Sequence, residues 1–233
     1  MSASATSRAA DGSRPHPGFF LALEGPDGGG KSTQSARLAT WLRGEGLDVV
    51  TCRDPGSTPL GERLREVILH GDDARPSMRA EMLLYMASRA QLVDEVIRPS
   101  LTAGRIVVSD RFLLSNLVYQ GIAGGLSLDE IARVGMVATG GLLPDLTLIL
   151  DISPEAGRAR TGPARDRIEA RSEDYHDRVR RGFLEAAGHA DAPEGCRYFP
   201  APLAVIQGEL DPDTVFGRIQ EEVGNVLALG SRS

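Results

Sequence analysis

The chain has 233 residues, of which 41% are hydrophobic and 25% are charged. These are ordinary globular values, and a chain of this length can bury the core of one α/β domain without disulfides or a structural metal. The formal net charge of −6 argues against a general nucleic-acid-binding protein, whose basic surface would show in the total.

Residues 1–17 are rich in Ser, Ala and Pro and lack the apolar segment of a secretory signal. We expect a disordered tail here and one folded domain over 18–233. No apolar run is long enough to span a bilayer, so no membrane association is expected. Cys52 and Cys196 have no CxxC spacing, which favours reduced thiols in a cytoplasmic protein.

Five apolar segments predict buried strands, and helical patterns separate them. The predicted strands cover 19–24, 47–53, 105–110, 145–151 and 203–208. The predicted helices cover 31–45, 61–69, 77–103 with a bend near Pro99, 128–139, a segment from Ser153 or Pro154, 175–187 and 212–229. This alternation predicts a parallel sheet with helices on both faces and ligands at the carboxyl ends of its strands.

The segment 158–171 is crowded with arginine and interrupted by Gly162 and Pro163. Glycine and proline disfavour a continuous helix, so we expect a mobile loop here.

The segment 25–32 reads GPDGGGKS and fits the P-loop pattern G-x-x-x-x-G-K-[ST]. It follows a predicted strand and opens a predicted helix, where its backbone N–H groups would surround a phosphate. Lys31 would reach the β and γ phosphates, and the Ser32 hydroxyl would coordinate Mg²⁺. The predicted fold is therefore a three-layer α/β/α P-loop NTPase. The residues expected to bind ATP are Gly25, Pro26, Asp27, Gly28, Gly29, Gly30, Lys31, Ser32 and Thr33.

The third predicted strand ends on Asp110 and Arg111. A carboxylate here can support Mg²⁺, and the arginine can hold a phosphate with two hydrogen bonds. The pair favours phosphoryl transfer between two anions over activation of water.

Several separated blocks, in order along the chain, resemble the thymidylate kinase family, which makes dTDP from dTMP. The blocks are 24–33 EGPDGGGKST, 53–56 RDPG, 83–89 LLYMASR, 110–112 DRF, 115–116 SN, 119–121 YQG, 144–147 PDLT, 150–151 LD and 166–169 DRIE.

This resemblance implies a role for residues that would contact the monophosphate. Tyr85 would stack on the thymine and Arg89 would donate to a thymine carbonyl, while Asn116 would read the pyrimidine edge. Tyr119 would pack beneath the sugar and disfavour ribonucleotides, and Asp27 would accept from the 3′-hydroxyl. Three more residues belong to the expected dTMP site. Arg53 and Arg111 would hold the acceptor phosphate, and Asp54 would lie near this phosphate and the metal. Gln120 falls in the same block as Tyr119 and is assigned to this site as well.

Phosphoryl transfer to an ionised phosphate needs positioning and charge neutralisation more than a general base. The expected catalytic residues are Lys31, Asp110, Arg111, Arg158 and Arg167, and the expected metal-site residues are Ser32, Asp54 and Asp110. Gly28 stands where some members of the family carry a P-loop arginine. The resemblance therefore implies that a short lid over 158–171 supplies the catalytic arginines, and the candidates are Arg158, Arg160, Arg165 and Arg167. Asp54 and Ser57 replace the family's usual Glu and frequent Gly.

The resemblance implies a homodimer formed through helices beside the sheet, with ATP and dTMP as substrates. Two alternatives stay open at this stage. One is a kinase for another nucleoside monophosphate, such as dUMP, UMP or CMP, or for a deoxynucleoside. The other is a P-loop ATPase or nucleotide-dependent switch, which would differ by turning over ATP without an acceptor or by binding it without transfer.

Overall fold

The computed structural model describes residues 16–71, 75–163, 166–189 and 202–229. The tail predicted over 1–17 lies outside the described residues except for positions 16 and 17, and so do Arg165 and Cys196. Within the described ranges, no helix has the length and apolar character needed to cross a membrane.

The five predicted strands are all present and form one parallel sheet. They are β1 (Phe19–Glu24), β2 (Val49–Arg53), β3 (Ile106–Asp110), β4 (Leu146–Asp151) and β5 (Leu203–Gln207). Their order across the sheet is β2-β3-β1-β4-β5, so β1 lies at the centre between β3 and β4. The carboxyl ends of β1 and β3 therefore lie side by side.

The described helices surround this sheet and two of them continue into π-helical segments. They are α1 (Lys31–Gly44), α2 (Pro59–His70), α3 (Met78–Leu92), α4 (Arg98–Thr102), α5 (Leu113–Asn116), α6 (Leu128–Thr139), α7 (Pro154–Thr161), α8 (Glu173–His189) and α9 (Pro212–Leu227), with π-helical segments at Val93–Ile97 and Leu117–Ile122.

The two faces of the sheet bury separate cores. Phe20 of β1 belongs to a cluster that includes Met86 of α3. Its neighbour Leu21 belongs to a second cluster, which includes Leu38 of α1 and Ile219 of α9. Because successive side chains of a strand point to opposite faces, helices must cover both sides of the sheet. The predicted three-layer fold is confirmed.

Three local features of the structure were not predicted. The helix predicted over 77–103 contains the π-helical segment Val93–Ile97 just before Pro99, which lies in the first turn of α4. The helical stretch after β3, over 113–122, was not predicted. The loop predicted from Arg158 is wrong for its first residues, because α7 continues to Thr161.

Candidate active site

The P-loop joins the end of β1 to the start of α1. Gly30 adopts a left-handed φ of 84° immediately before α1, a conformation that glycine takes without strain. The helix N-terminus presents free N–H groups and the positive end of its dipole, which favour a bound phosphate. Lys31 is buried, and its ammonium donates to the Pro26 carbonyl at 2.7 Å. Burial and the charge of Arg111 lower the pKa of Lys31 to about 8.

Two glycines bring α7 against the P-loop. A Cβ on Gly28 would lie 2.5 Å from the Cα of Gly157, and a Cβ on Gly157 would lie 2.5 Å from the carbonyl oxygen of Asp27. Real Cβ atoms do not approach backbone so closely, so a side chain at Gly28 would displace α7. This close contact is a physical reason why position 28 carries glycine and not arginine. The role of Gly157 could not be predicted from the sequence, because the residue lies in no motif.

Ser32 and Asp110 meet where α1 and β3 converge. The Ser32 hydroxyl donates to the Asp110 carboxylate at 2.5 Å. Asp110 ends β3 beside Leu23 of β1, so the sheet register carries the carboxylate to the P-loop. A hydroxyl and a carboxylate are hard oxygen donors of the kind that Mg²⁺ prefers.

Arg111 crosses from the end of β3 to the P-loop. Its guanidinium donates to the Gly25 carbonyl at 3.0 Å and to the Asp27 carboxylate at 2.5 Å. It also contacts the hydroxyls of Ser115 and Tyr119, at 3.1 and 3.2 Å. Burial opposes the charge of Arg111, but Tyr119 and Asp27 outweigh it and hold the pKa well above its usual value.

Glu24 supports this arrangement, although no role was predicted for it. It is fully buried at the end of β1 and accepts from the Phe112 N–H at 2.8 Å and from the Ser115 hydroxyl at 2.5 Å. Burial raises the pKa of Glu24, against the opposing charge of Arg111. The sequence offered one indication of this role, which is a carboxylate at the end of an otherwise apolar strand. A buried carboxylate of this kind needs several hydrogen-bond or ion-pair partners.

A cavity lies beside Arg111, between the P-loop and α3. Eight of the nine residues predicted for the monophosphate line it, namely Asp27, Asp54, Tyr85, Arg89, Arg111, Asn116, Tyr119 and Gln120. The ninth, Arg53, lines a second cavity and pairs with Glu62 at 2.9 Å on the surface. Arg65 lines both cavities and was not predicted.

Arg89 and Asp54 form a buried ion pair, with Nε of the arginine 2.5 Å from the carboxylate. The Arg89 guanidinium also donates to the Phe112 carbonyl at 3.1 Å and to the Met86 sulfur. Burial raises the pKa of Asp54, although the charge of Arg89 opposes it. One carboxylate oxygen of Asp54 has no hydrogen-bond partner among the described residues. Asp54 therefore serves first to balance the positive charge of Arg89. This role was not predicted from the sequence.

The second cavity contains the P-loop from Asp27 to Gln34 and the loop between β5 and α9. Arg160 lines it and donates to the carbonyls of Gly208 and Glu209, at 2.8 and 3.2 Å. The residues shared by the two cavities are Asp27, Asp54, Arg65, Arg111 and Asp166. The two cavities thus meet beside the guanidinium of Arg111. The loop after β5 carries no motif, so its place in this cavity could not be predicted from the sequence.

The other lid arginines are engaged away from the P-loop. Arg158 pairs with Glu173 at 3.2 Å and with Glu155 at 3.9 Å on the surface. Arg167 donates to the carbonyl of Ile68. Neither lines the second cavity in the described conformation, whereas Arg160 does.

The parallel sheet, the P-loop after β1 and the Ser32–Asp110 contact define a P-loop NTPase fold. Residues 23–192 match the family model for thymidylate kinase. The chain is 50% identical to a thymidylate kinase of Synechococcus sp. strain JA-3-3Ab over 169 residues, covering 72% of this chain and 81% of the relative. It is 47% identical to one of Clavibacter sepedonicus over 198 residues, covering 83% and 92%.

A third relative, a thymidylate kinase of Deinococcus radiodurans, is 49% identical over 177 residues, which are 75% of this chain and 84% of that protein. The chain belongs to the thymidylate kinase family, as its motif blocks predicted.

Proposed function

We propose that this protein transfers the γ-phosphoryl group of ATP to dTMP, giving dTDP and ADP. The observation that carries this proposal is the meeting of two cavities at Arg111, one containing the P-loop and the other the predicted base-binding residues. Two anionic phosphates have to approach in line, and a cationic side chain between their cavities lowers the repulsion.

ATP occupies the second cavity, with its phosphates on the P-loop. The N–H groups at the start of α1 hold the phosphate oxygens, and Lys31 reaches the β and γ phosphates. Lys31 must exchange the Pro26 carbonyl for phosphate oxygens to do so. Arg160, beside the loop after β5, contributes a further positive charge at the edge of this cavity.

A divalent cation fits at Ser32 and Asp110. The oxygen atoms of these residues lie 2.5 Å apart beside the P-loop, so they would hold Mg²⁺ as hard oxygen ligands next to the phosphates of ATP. When bound, Mg²⁺ neutralises charge on the β and γ phosphates. Asp54 was assigned to the same metal, but its buried pairing with Arg89 favours a supporting role.

The pyrimidine of dTMP occupies the cavity beside α3. Tyr85 offers an aromatic surface to the base, worth about 1–3 kcal/mol by stacking. The edge of the base faces Asn116 and Gln120, and Arg89, which also lines this cavity, donates to a carbonyl of the base. Tyr119 lies beside the sugar, where its hydroxyl already bonds Asp27 at 3.1 Å.

The acceptor phosphate lies at the junction of the cavities, near Arg111, Arg65 and Arg53. It is ionised at neutral pH, so its oxygen attacks the γ-phosphorus without a general base. Arg111 spans both phosphates and stabilises the charge that the transfer redistributes. Arg158 and Arg167, assigned to catalysis from the sequence, would have to leave their present partners for a lid to deliver them.

The proposal is tested by following ADP release with Mg-ATP and each of dTMP, dUMP, UMP, CMP and AMP, beside a reaction without acceptor. We expect a high rate with dTMP, and a rate with dUMP lower by about 10- to 200-fold, the usual effect of one missing methyl group. Preference for another monophosphate would overturn the base assignment. If ADP is released at the same rate with and without an acceptor, the proposal that the protein is a phosphotransferase is wrong.

We further propose that the protein is a cytoplasmic homodimer. Exposed apolar side chains occur on α2, α3 and α6, which pack against one another in the order α2, α3, α6. They include Val67, Leu83, Met136 and Val137, which is 84% exposed. Apolar patches of this kind mark interfaces.

Analytical sedimentation tests the dimer and should give twice the mass of one chain. The Val137→Glu variant should give the mass of one chain. Val205→Glu, on β5, is the control and should still give twice that mass.

A further inference from the structure

A buried carboxylate lies behind the predicted base-reading residues. Glu81 is 1% exposed on α3, and neither of its oxygens is free. Oε2 accepts from Arg171 at 2.6 Å, and Oε1 accepts from the amide of Gln120 at 2.9 Å. Arg171 is held in turn by the hydroxyl of Tyr175. Arg171 thus balances the buried charge of Glu81.

The contact with Glu81 decides how the Gln120 carboxamide is oriented. A carboxylate in an ion pair only accepts hydrogen bonds, so Gln120 has to present its NH₂ group to it. The Gln120 oxygen then faces Asn116, whose NH₂ group donates to it at 2.8 Å. Each carboxamide fixes the next, and the direction of every bond in this series originates at Glu81.

The last member of the series is the carboxamide of Asn116, which lines the monophosphate cavity. Asn116 is 1% exposed, and its nitrogen is committed to Gln120. Its oxygen Oδ1 has no hydrogen-bond partner among the described residues. A buried oxygen without a partner is costly unless a ligand supplies a donor.

We infer that Glu81 is a positioning residue for base specificity, which makes Asn116 offer an acceptor to the base. Thymine and uracil carry an N3–H donor and match this acceptor, whereas cytosine carries a lone pair at N3 and is repelled. This inference rests on the proposed binding of the base beside Asn116. It adds to that proposal a residue that does not itself line the cavity.

Glu81→Gln is a sharp test because it changes one oxygen to NH₂ without changing size. Arg171 only donates, so it would select the oxygen of the new Gln side chain and leave the NH₂ group facing Gln120. Gln120 would then turn over, and Asn116 would present its NH₂ group to the base. The direction of the whole series would be reversed.

The measurement is kcat/KM for dTMP and for dCMP with purified protein and Mg-ATP. We expect Glu81→Gln to lower the dTMP-to-dCMP ratio at least about tenfold, mostly through KM, since one hydrogen bond is replaced by an opposed one. Glu95→Gln is the matched control, because Glu95 accepts from Gln91 on the exposed side of the π-helical segment after α3. Its ratio should equal that of the unchanged protein. A merely structural loss would lower both rates and leave the ratio unchanged.

Two further variants separate the possible failures. Gln120→Met interrupts the series while leaving the Glu81–Arg171 pair in place, and should also lower the ratio, which keeps the test available if Glu81→Gln does not fold. Asn116→Ala tests the placement of the base itself. If Asn116→Ala lowers the ratio but Glu81→Gln and Gln120→Met do not, the role of Glu81 is wrong and the base placement stands. If Asn116→Ala leaves the ratio unchanged, the base placement fails and the inference fails with it.

Discussion

The guanidinium of Arg111 lies 2.5 Å from the carboxylate of Asp27, which joins the end of β3 to the P-loop. Arg111 adopts a φ of 71°, a conformation uncommon for a residue with a side chain, and its N–H donates to the Leu23 carbonyl at 2.9 Å. The chain turns sharply here, so that the arginine faces the P-loop rather than solvent. Burial opposes ionisation of Asp27, but Arg111 and Lys31 outweigh it and lower its pKa.

Arg111→Ala should reduce kcat/KM for dTMP by about 10²- to 10³-fold, the usual effect of removing one donor to the charge that develops in transfer. Steady-state rates with varied dTMP measure this effect. Arg105→Ala is the control, because Arg105 pairs with Asp48 on the surface at the opposite end of β3. If the two variants lower kcat/KM for dTMP equally, Arg111 has no specific role in the transfer.

Asp54→Ala should destabilise the fold by about 3–5 kcal/mol, because it leaves the buried Arg89 charge without its partner. Asp48→Ala breaks the surface pair with Arg105, whose side chains are 71% and 44% exposed, and should cost at most about 1 kcal/mol. Urea unfolding of both variants measures the difference. Similar losses in the two would contradict a structural role for Asp54.

ATP binding should weaken as the pH rises through about 8, the pKa to which burial and Arg111 lower Lys31. Below that pH the ammonium is charged, and above it the free protein has lost the proton that the phosphates require. Binding near pH 8 should therefore take up a proton, which calorimetry in buffers of different ionisation enthalpy detects. Lys31→Arg stays charged throughout, so its affinity should not change over this range.

The same shift predicts a contribution to stability without ligand. The pKa of Lys31 is about 8 when folded and 10.5 in the ordinary state, so between these values the unfolded chain binds more protons. Stability from this group therefore rises with pH across that interval. The free energy of unfolding of the Lys31→Met variant, compared with the unchanged protein from pH 7 to pH 10, should lack this increase.

Arg160→Ala should raise the KM for ATP more than Arg158→Ala does. Arg160 lines the cavity of the P-loop, whereas Arg158 pairs with Glu173 and Glu155 on the surface. Initial rates with varied ATP at saturating dTMP distinguish the two. A larger loss of kcat for Arg158→Ala would instead indicate that the lid rearranges and brings Arg158 to the phosphates.

Features carried by short stretches of sequence could be predicted. The P-loop spans eight consecutive residues between a strand and a helix, and its chemistry depends on backbone and on adjacent side chains. The strands could be predicted because each is a short, mostly apolar segment, and the three central strands β3, β1 and β4 are almost fully buried. Eight of the nine residues assigned to the monophosphate line one cavity, and all nine lie in the short motif blocks from which they were assigned.

Features that depend on contacts between distant segments could not be predicted. Arg89 was assigned to the base, but folding brings Asp54 against it from 35 positions away. Gly157 matters only because α7 lies on the P-loop, and Glu81 only because Gln120 and Arg171 converge on it. Sequence therefore determined the phosphate chemistry, which is local, while tertiary structure decided which charges neutralise one another and which remain for the substrates.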